Sequence, residues 1–329
     1  MPANLPPQYF EAERKYREAR STPEKLEALK EMLAVMPKHK GTEKLQADIK
    51  RRIAKLKEEA QRGRKGGGKG YSIYVEKEGA GQVTLAGLPN VGKSSLLAAL
   101  TRAEPEIADY PFTTRKPQPG MLQFENISIQ LVDLPPLDRC YMEAWVPGII
   151  RVADVALLVI DLASDDPLSQ AEETIEILRS HRIEPVGRAV GTAVTGPSVE
   201  KPAVLVGNRL DVPGAQDNLQ VLASLYAGTL PVVGVSAVTR AGLDDLGRTI
   251  YAMLNIVRVY AKPPGKTPDL EKPFVFRKGS TVLDFAAAVH KDFAEKLKFA
   301  RVWGVNKFDG QRVNRDYVLE EGDIIELHI

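Results

Sequence analysis

The sequence predicts an α/β chain built on a mostly parallel, doubly wound sheet, with a helical hairpin before it and a small separate unit after it. Three observations carry this. Strand-like and helix-like stretches alternate from residue 71 to about 262, as a doubly wound domain requires. Gly87-Leu88-Pro89-Asn90-Val91-Gly92-Lys93-Ser94 is a complete GxxxxGKS phosphate loop, set between a strand-like run at 81–86 and a helix-like run from Ser95. Lys262-Pro263-Pro264-Gly265-Lys266-Thr267-Pro268 then breaks any element. The expected divisions are 1–70, 71–265 and 266–329.

The N-terminal part reads as two helices. Ser21-Thr22-Pro23-Glu24 has capping-box chemistry, and Leu26, Leu29, Leu33 and Met36 follow at helical spacing. Pro37 to Gly41 interrupt the chain, and Leu45, Ile49, Ile53 and Leu56 form the next apolar stripe. Residues 62–70, RGRKGGGKG, have the composition of a linker. Between Lys38 and Lys69 stand eight Lys and four Arg against three Glu and one Asp, a net charge of +8. A run of this kind serves either as a solvated face or as a contact to a phosphate backbone.

In the phosphate loop, glycines let the backbone wrap a triphosphate, and the N–H groups of the loop and helix start face its oxygens. Gly87 to Ser95 are therefore the expected phosphate-binding residues, with Lys93 as the point charge and Ser94 as a Mg²⁺ ligand. Strand-like runs at 127–132, 155–160, 203–206 and 232–235 continue the domain. The third ends in Asn208-Arg209-Leu210-Asp211 and the fourth in Ser236-Ala237. These match the guanine-reading NKxD and SA motifs, with Arg209 in place of Lys. Asp211 is expected to be a buried carboxylate that accepts from the guanine ring N–H and amino group. Adenine lacks that donor pair. The predicted ligand is GTP or GDP.

The C-terminal unit reads as a strand at 274–276, a helix capped at Ser280-Thr281 whose stripe runs through Phe285, Ala288, Val289 and Phe293, and strands at 300–305 and 323–329. This is a ubiquitin-like β-grasp pattern. Its ending, Leu319-Glu320-Glu321-Gly322-Asp323-Ile324-Ile325, resembles the close of TGS domains.

Bulk composition excludes several alternatives. The 329 residues are 43% hydrophobic and 27% charged with net charge +2, so no global electrostatic case for nucleic acid arises. A lone Cys140 excludes a disulfide framework and a cysteine metal cluster. No apolar run is long enough to cross a membrane, none near the start resembles a secretory signal, and the expected compartment is the cytosol. The four histidines lack metal-ligand spacing, Asp165 and Asp166 are expected to cap a helix, and Trp145 and Trp303 to pack.

Taken together, residues 37–52 (PKHKGTEKLQADIKRR), GLPNVGKS, Asp109-Tyr110-Pro111-Phe112-Thr113-Thr114, Asp133-Leu134-Pro135, the guanine motif and the tail resemble the Obg/DRG group of translation-associated GTPases. They are most similar to the developmentally regulated GTP-binding proteins. The resemblance implies weak intrinsic GTP hydrolysis, and ribosome or structured-RNA association through the basic arm and TGS unit. It places switch I at Thr113 and Thr114, with Thr114 the favoured Mg²⁺ ligand and Thr113 the alternative. Asp133 becomes the switch II aspartate that holds Mg²⁺ through water. Lys93, Thr114 and Asp133 are thus the expected catalytic set, and Asn90 a K⁺ ligand near the phosphates.

Three features depart from that group or bear on its chemistry. Pro136 stands where the DxPG motif has glycine; proline has no N–H for a γ-phosphate and a fixed φ. The N–H of Leu137 is the alternative donor. Leu137 itself occupies the place of the glutamine that orients water in Ras-like proteins, as is usual in Obg-type chains. The subdomain that eukaryotic and archaeal members insert between 161 and 201 is reduced to a short stretch. Pro136 raises a second reading, a guanine-nucleotide-binding adaptor with little hydrolysis.

Overall fold

The computed structural model describes residues 14–15, 28–29, 31–32, 34–35, 49, 75–101, 117–139, 142–189, 198–305 and 307–329. The chain divides into two units, Met1–Tyr71 and Ser72–Ile329. In the first, the described residues are helical, with Ala28, Leu29, Met32 and Ile49 buried and Lys15 paired to Glu31 at 2.9 Å. The expected turn at 37–42, most of both apolar stripes, the linker and the switch I residues Thr113 and Thr114 lie outside the described residues.

The second unit opens with β1 (Gln82–Ala86), the phosphate loop and α1 (Lys93–Leu100). The antiparallel hairpin β2 (Gln118–Phe124) and β3 (Ile127–Asp133) follows, then α2 (Val146–Val152), β4 (Val155–Asp161) and α3 (Pro167–Ser180). β5 (Ile183–Val186), β6 (Val199–Asn208), α4 (Ala215–Leu225), β7 (Val232–Gly234) and α5 (Leu243–Leu254) complete the sheet. The strand order is β2-β3-β1-β4-β6-β5, with β7 paired to the second half of β6, and every pairing except β2–β3 is parallel.

A sheet of this kind has no wet face, and the side chains alternate accordingly. In β4, Ala156, Leu158 and Ile160 enter one core with Ile149, Ile150, Ile175 and Leu178. Val155, Leu157 and Val159 enter the opposite core with Leu96, Leu97, Leu246 and Ile250. Asp166 caps α3 by accepting from the Ser169 N–H at 2.9 Å, and Trp145 is buried among apolar side chains, both as the sequence leads one to expect.

A second sheet has the order β11-β10-β12-β8-β9. It comprises β8 (Ile256–Ala261), β9 (Phe274–Arg277), β10 (Phe299–Trp303), β11 (Gln311–Val313) and β12 (Asp323–His328). Only β8 and β12 pair in parallel. α6 (Val282–Val289) starts at a full Thr281–Asp284 capping box and packs Val282, Phe285 and Ala286 against the sheet.

Two expectations need correction. The helix does not run through Phe293: it stops at His290, whose extended backbone separates it from α7 (Lys291–Lys296). His290 Nδ1 accepts from the Asp292 N–H and so starts the second helix. The boundary also lies before residue 265, because β8 precedes the proline-glycine break yet pairs with β12 and β9. A break ends an element without saying which sheet that element joins. The actual junction is one residue: α5 ends at Leu254, Asn255 adopts a left-handed φ of 53°, and β8 begins at Ile256. No helix among the described residues is long and apolar enough to cross a membrane.

Candidate functional site

The carboxyl ends of β1, β3 and β6 converge on a cavity of about 740 Å³, lined by Asn90, Lys93, Ser94, Gln118, Asp133 and Arg209 among others. This is where an open α/β sheet places its ligands. Two loop glycines have no substitute. A Cβ on Gly87 would lie 2.5 Å from the Val159 carbonyl oxygen, and one on Gly92 would lie 2.3 Å from the Asn208 amide nitrogen. Gly92 also has φ +88°, a conformation a side chain rarely adopts.

Lys93 folds back over its own loop, donating to the carbonyls of Gly87 at 3.1 Å and Leu88 at 3.0 Å. The ammonium is buried, and that burial lowers its pKa against the opposing pull of Asp133. Ser94 Oγ donates to Asp133 Oδ2 at 2.5 Å. Burial raises the Asp133 pKa, and the Ser94 hydrogen bond and Lys93 charge offset only part of that. Asp133 Oδ1 is buried without a hydrogen-bond partner among the described residues. An orphaned carboxylate oxygen beside a hydroxyl is a pair of hard oxygen donors, the chemistry that Mg²⁺ takes. No cluster of three or more His, Cys, Asp or Glu among the described residues competes as a metal site. Two protein oxygens suit an ion that fills its shell with phosphates and waters.

The segment that leaves β3, the expected switch II, is tied to β1 and the phosphate loop. The Leu134 N–H donates to the Leu85 carbonyl at 3.3 Å and the Leu137 N–H to the Gly87 carbonyl at 3.0 Å. Leu134 and Leu137 are both buried in the core, while Pro135 and Pro136 line the cavity. The one N–H expected to stand in for the missing Pro136 donor is thus in use.

The guanine motif forms a second cluster. Asn208 is buried; its amide donates to the Val91 carbonyl at 3.1 Å and its oxygen accepts from the Ala237 N–H at 3.3 Å. It thereby ties the phosphate loop to the 236–237 loop. Ser236 Oγ donates to Asp211 Oδ1 at 2.5 Å and accepts from the N–H groups of Val238 and Thr239. Ser236 therefore orients the carboxylate. Asp211 is exposed rather than buried, because it sits past the strand end on the turn into α4.

Arg209, at φ +65°, pairs with Asp161 at 2.8 Å and donates to the Asn90 carbonyl at 3.2 Å. Asn90 is itself held at φ +64° and lines the cavity. Sequence reasoning missed Asp161 and Gln118, and it named the Leu137 N–H as a γ-phosphate donor without foreseeing its bond to Gly87. Asp161 had a readable signal, an acid closing a buried apolar run at the ligand end of a parallel strand.

Comparison with known proteins agrees with this geometry. Residues 82–190 match the family described as 50S ribosome-binding GTPase, and residues 257–329 match the TGS domain. An uncharacterized GTP-binding protein of Methanocaldococcus jannaschii is 32% identical over 93% of this chain and 92% of its own length. Developmentally-regulated GTP-binding protein 1 of Xenopus laevis is 29% identical over 90% and 95%. Ribosome-interacting GTPase 1 of Saccharomyces cerevisiae is 26% identical over 93% and 99%. A crystal structure of a Pyrococcus horikoshii GTP-binding protein superposes with a TM-score of 0.51, covering 75% of this chain and 99% of that one at 18% identity, a likeness of fold alone. The chain belongs to the family of developmentally regulated GTP-binding proteins, phosphate-loop GTPases that carry a C-terminal TGS domain.

Proposed function

We propose that this protein slowly hydrolyses GTP to GDP and phosphate in the cytosol, and that its nucleotide state governs contact with the ribosome or structured RNA. The observation that carries hydrolysis is the Ser94–Asp133 pair with its orphaned oxygen, set beside Lys93 at the loop. Ser94, Asp133 and Thr114 of switch I would hold Mg²⁺, which when bound neutralises charge on the transferring phosphoryl group. Residues 87–95 cradle the phosphates. Lys93 exchanges its two loop carbonyls for phosphate oxygens and adds positive charge where negative charge develops. Asp211, oriented by Ser236, accepts from the guanine edge, and Asn208, Arg209 and Ala237 hold the loops around the base. Asn90 offers an oxygen for K⁺ near the phosphates.

The partner reading is supported by the +8 run at 38–69 and by the printed name of the yeast relative, a ribosome-interacting GTPase. A second reading, an adaptor with little hydrolysis, is favoured by Pro136 and by the engagement of the Leu137 N–H. Single-turnover GTP hydrolysis in sodium and in potassium, with and without ribosomes, separates the two. Turnover that rises with ribosomes or potassium supports the enzyme, and none under any condition supports the adaptor.

A further inference from the structure

One hairpin joins the nucleotide site to the C-terminal sheet. β2 and β3 pair without interruption from Gln118–Asp133 to Phe124–Ile127, about 20 Å of ladder at the usual rise per residue. At its open end, Gln118 and Asp133 line the phosphate cavity. At its closed end is a two-residue turn, Glu125-Asn126, with Glu125 at φ +50°.

The C-terminal domain grips both turn residues. The Arg258 guanidinium donates to Asn126 Oδ1 at 2.9 Å, to the Glu125 carboxylate, and to Glu321 Oε1 at 2.7 Å. It lies 5.1 Å over the Tyr251 ring, which stacks on Phe124 of the hairpin at 5.3 Å. Glu321 also accepts from the Tyr251 hydroxyl and the Arg258 N–H. Asn126 donates in turn to the Tyr260 hydroxyl at 2.9 Å. An exposed ion pair contributes little, but the Arg258 side chain is only 14% exposed and is held from several directions. The same domain has a separate anchor at the centre of the sheet, where Arg277 pairs with Asp154 at 3.0 Å.

A bulge-free ladder does not absorb a displacement at its tip by slipping. A one-residue slip would turn Ile129 and Leu131 out of their core. Movement at the turn therefore reaches Gln118 and Asp133. In the arrangement that Arg258 holds, switch II presents Pro136 to the cavity and keeps the Leu137 N–H on Gly87. We propose that Arg258 is a positioning residue: by fixing the hairpin tip, it lets the C-terminal domain set the preference of the site for GTP over GDP. The proposal rests on the guanine-nucleotide reading of the cavity. By reciprocity, a partner that engages the C-terminal domain and loosens this grip would bind more tightly in the GTP state.

Equilibrium titration of GTP and GDP against the full-length wild type, Arg258→Ala, Arg258→Lys, Asn126→Ala and Arg277→Ala tests this. Arg258→Ala is expected to raise the GTP-to-GDP affinity ratio by about fivefold or more, the low end of ordinary site-to-site coupling. Asn126→Ala should move it in the same direction and serves if Arg258→Ala does not fold. Arg258→Lys, which keeps the charge without the planar fork, should restore part of the wild-type ratio. Arg277→Ala loosens the domain at the sheet centre and should leave the ratio unchanged. A ratio unchanged or lowered in Arg258→Ala and Asn126→Ala, or raised equally by Arg277→Ala, overturns the proposal. A wild type that binds neither nucleotide overturns the reading of the cavity itself, and this proposal with it.

Discussion

The Leu137 N–H donates to the Gly87 carbonyl at 3.0 Å, so the first turn of switch II is fastened to the first residue of the phosphate loop. With Pro135 and Pro136 lacking an N–H, three consecutive backbone positions offer a γ-phosphate no free donor. Substituting Pro136→Gly supplies one beside the cavity. A charge-assisted hydrogen bond contributes about 1.5–3 kcal/mol, so the GTP-to-GDP affinity ratio should rise by about tenfold to a hundredfold. Titrating both nucleotides against both proteins measures it. An equal ratio would show that Leu137 releases Gly87 when nucleotide binds and takes over the contact.

Ser236 fixes the carboxylate of Asp211, the group proposed to read guanine. Asp211→Asn should shift preference from guanine toward xanthine nucleotides, since an amide donates where the carboxylate only accepts. Competition between GTP, XTP and ATP checks this. ATP binding to the unaltered protein as tight as GTP would refute the assignment.

Asp154 titrates under opposing influences. Burial pushes its pKa up, but the Gln82 N–H, Lys77 and Arg277 outweigh it and hold the carboxylate below its usual range. A folded-state pKa below the unfolded one adds stability above about pH 4, which is lost as pH falls through the folded value. Asp154→Asn should therefore cost about 1.5–3 kcal/mol at neutral pH, with the gap to wild type shrinking below about pH 4. Urea unfolding at pH 7 and pH 3 reads both, and a gap independent of pH would exclude an ionic role.

The basic arm makes a salt-dependent prediction. Association with ribosomes should weaken steeply with salt, and removing residues 1–70 should make that dependence shallower, because the net +8 lies there. An identical slope after deletion would mean that the charges only solvate a helix face.

The site was more legible in the sequence than the architecture around it. Phosphate-loop and guanine-motif chemistry constrains residue type at fixed spacing, so Lys93, Ser94 and Asn208 could be read directly, whereas Asp133 came only through the family resemblance. β2 was hidden because Pro119 and Gly120 punctuate it, which an edge strand tolerates. β8 alternates apolar and polar residues, but only Asn255 divides it from a helix, so no turn signal announced it. The contacts of Arg258 with the hairpin and of Arg277 with Asp154 span more than 120 positions along the chain. Their partners follow from the packing of two sheets, which no local pattern encodes.

The one-residue joint at Asn255 has a further consequence. Domains on a flexible tether sample many separations, and the tether sets an effective concentration for their encounter. A one-residue joint leaves no tether of that kind: Arg258 and Arg277 hold the TGS domain against the hairpin tip and Asp154, so the entropy of aligning the two domains is spent when the chain folds.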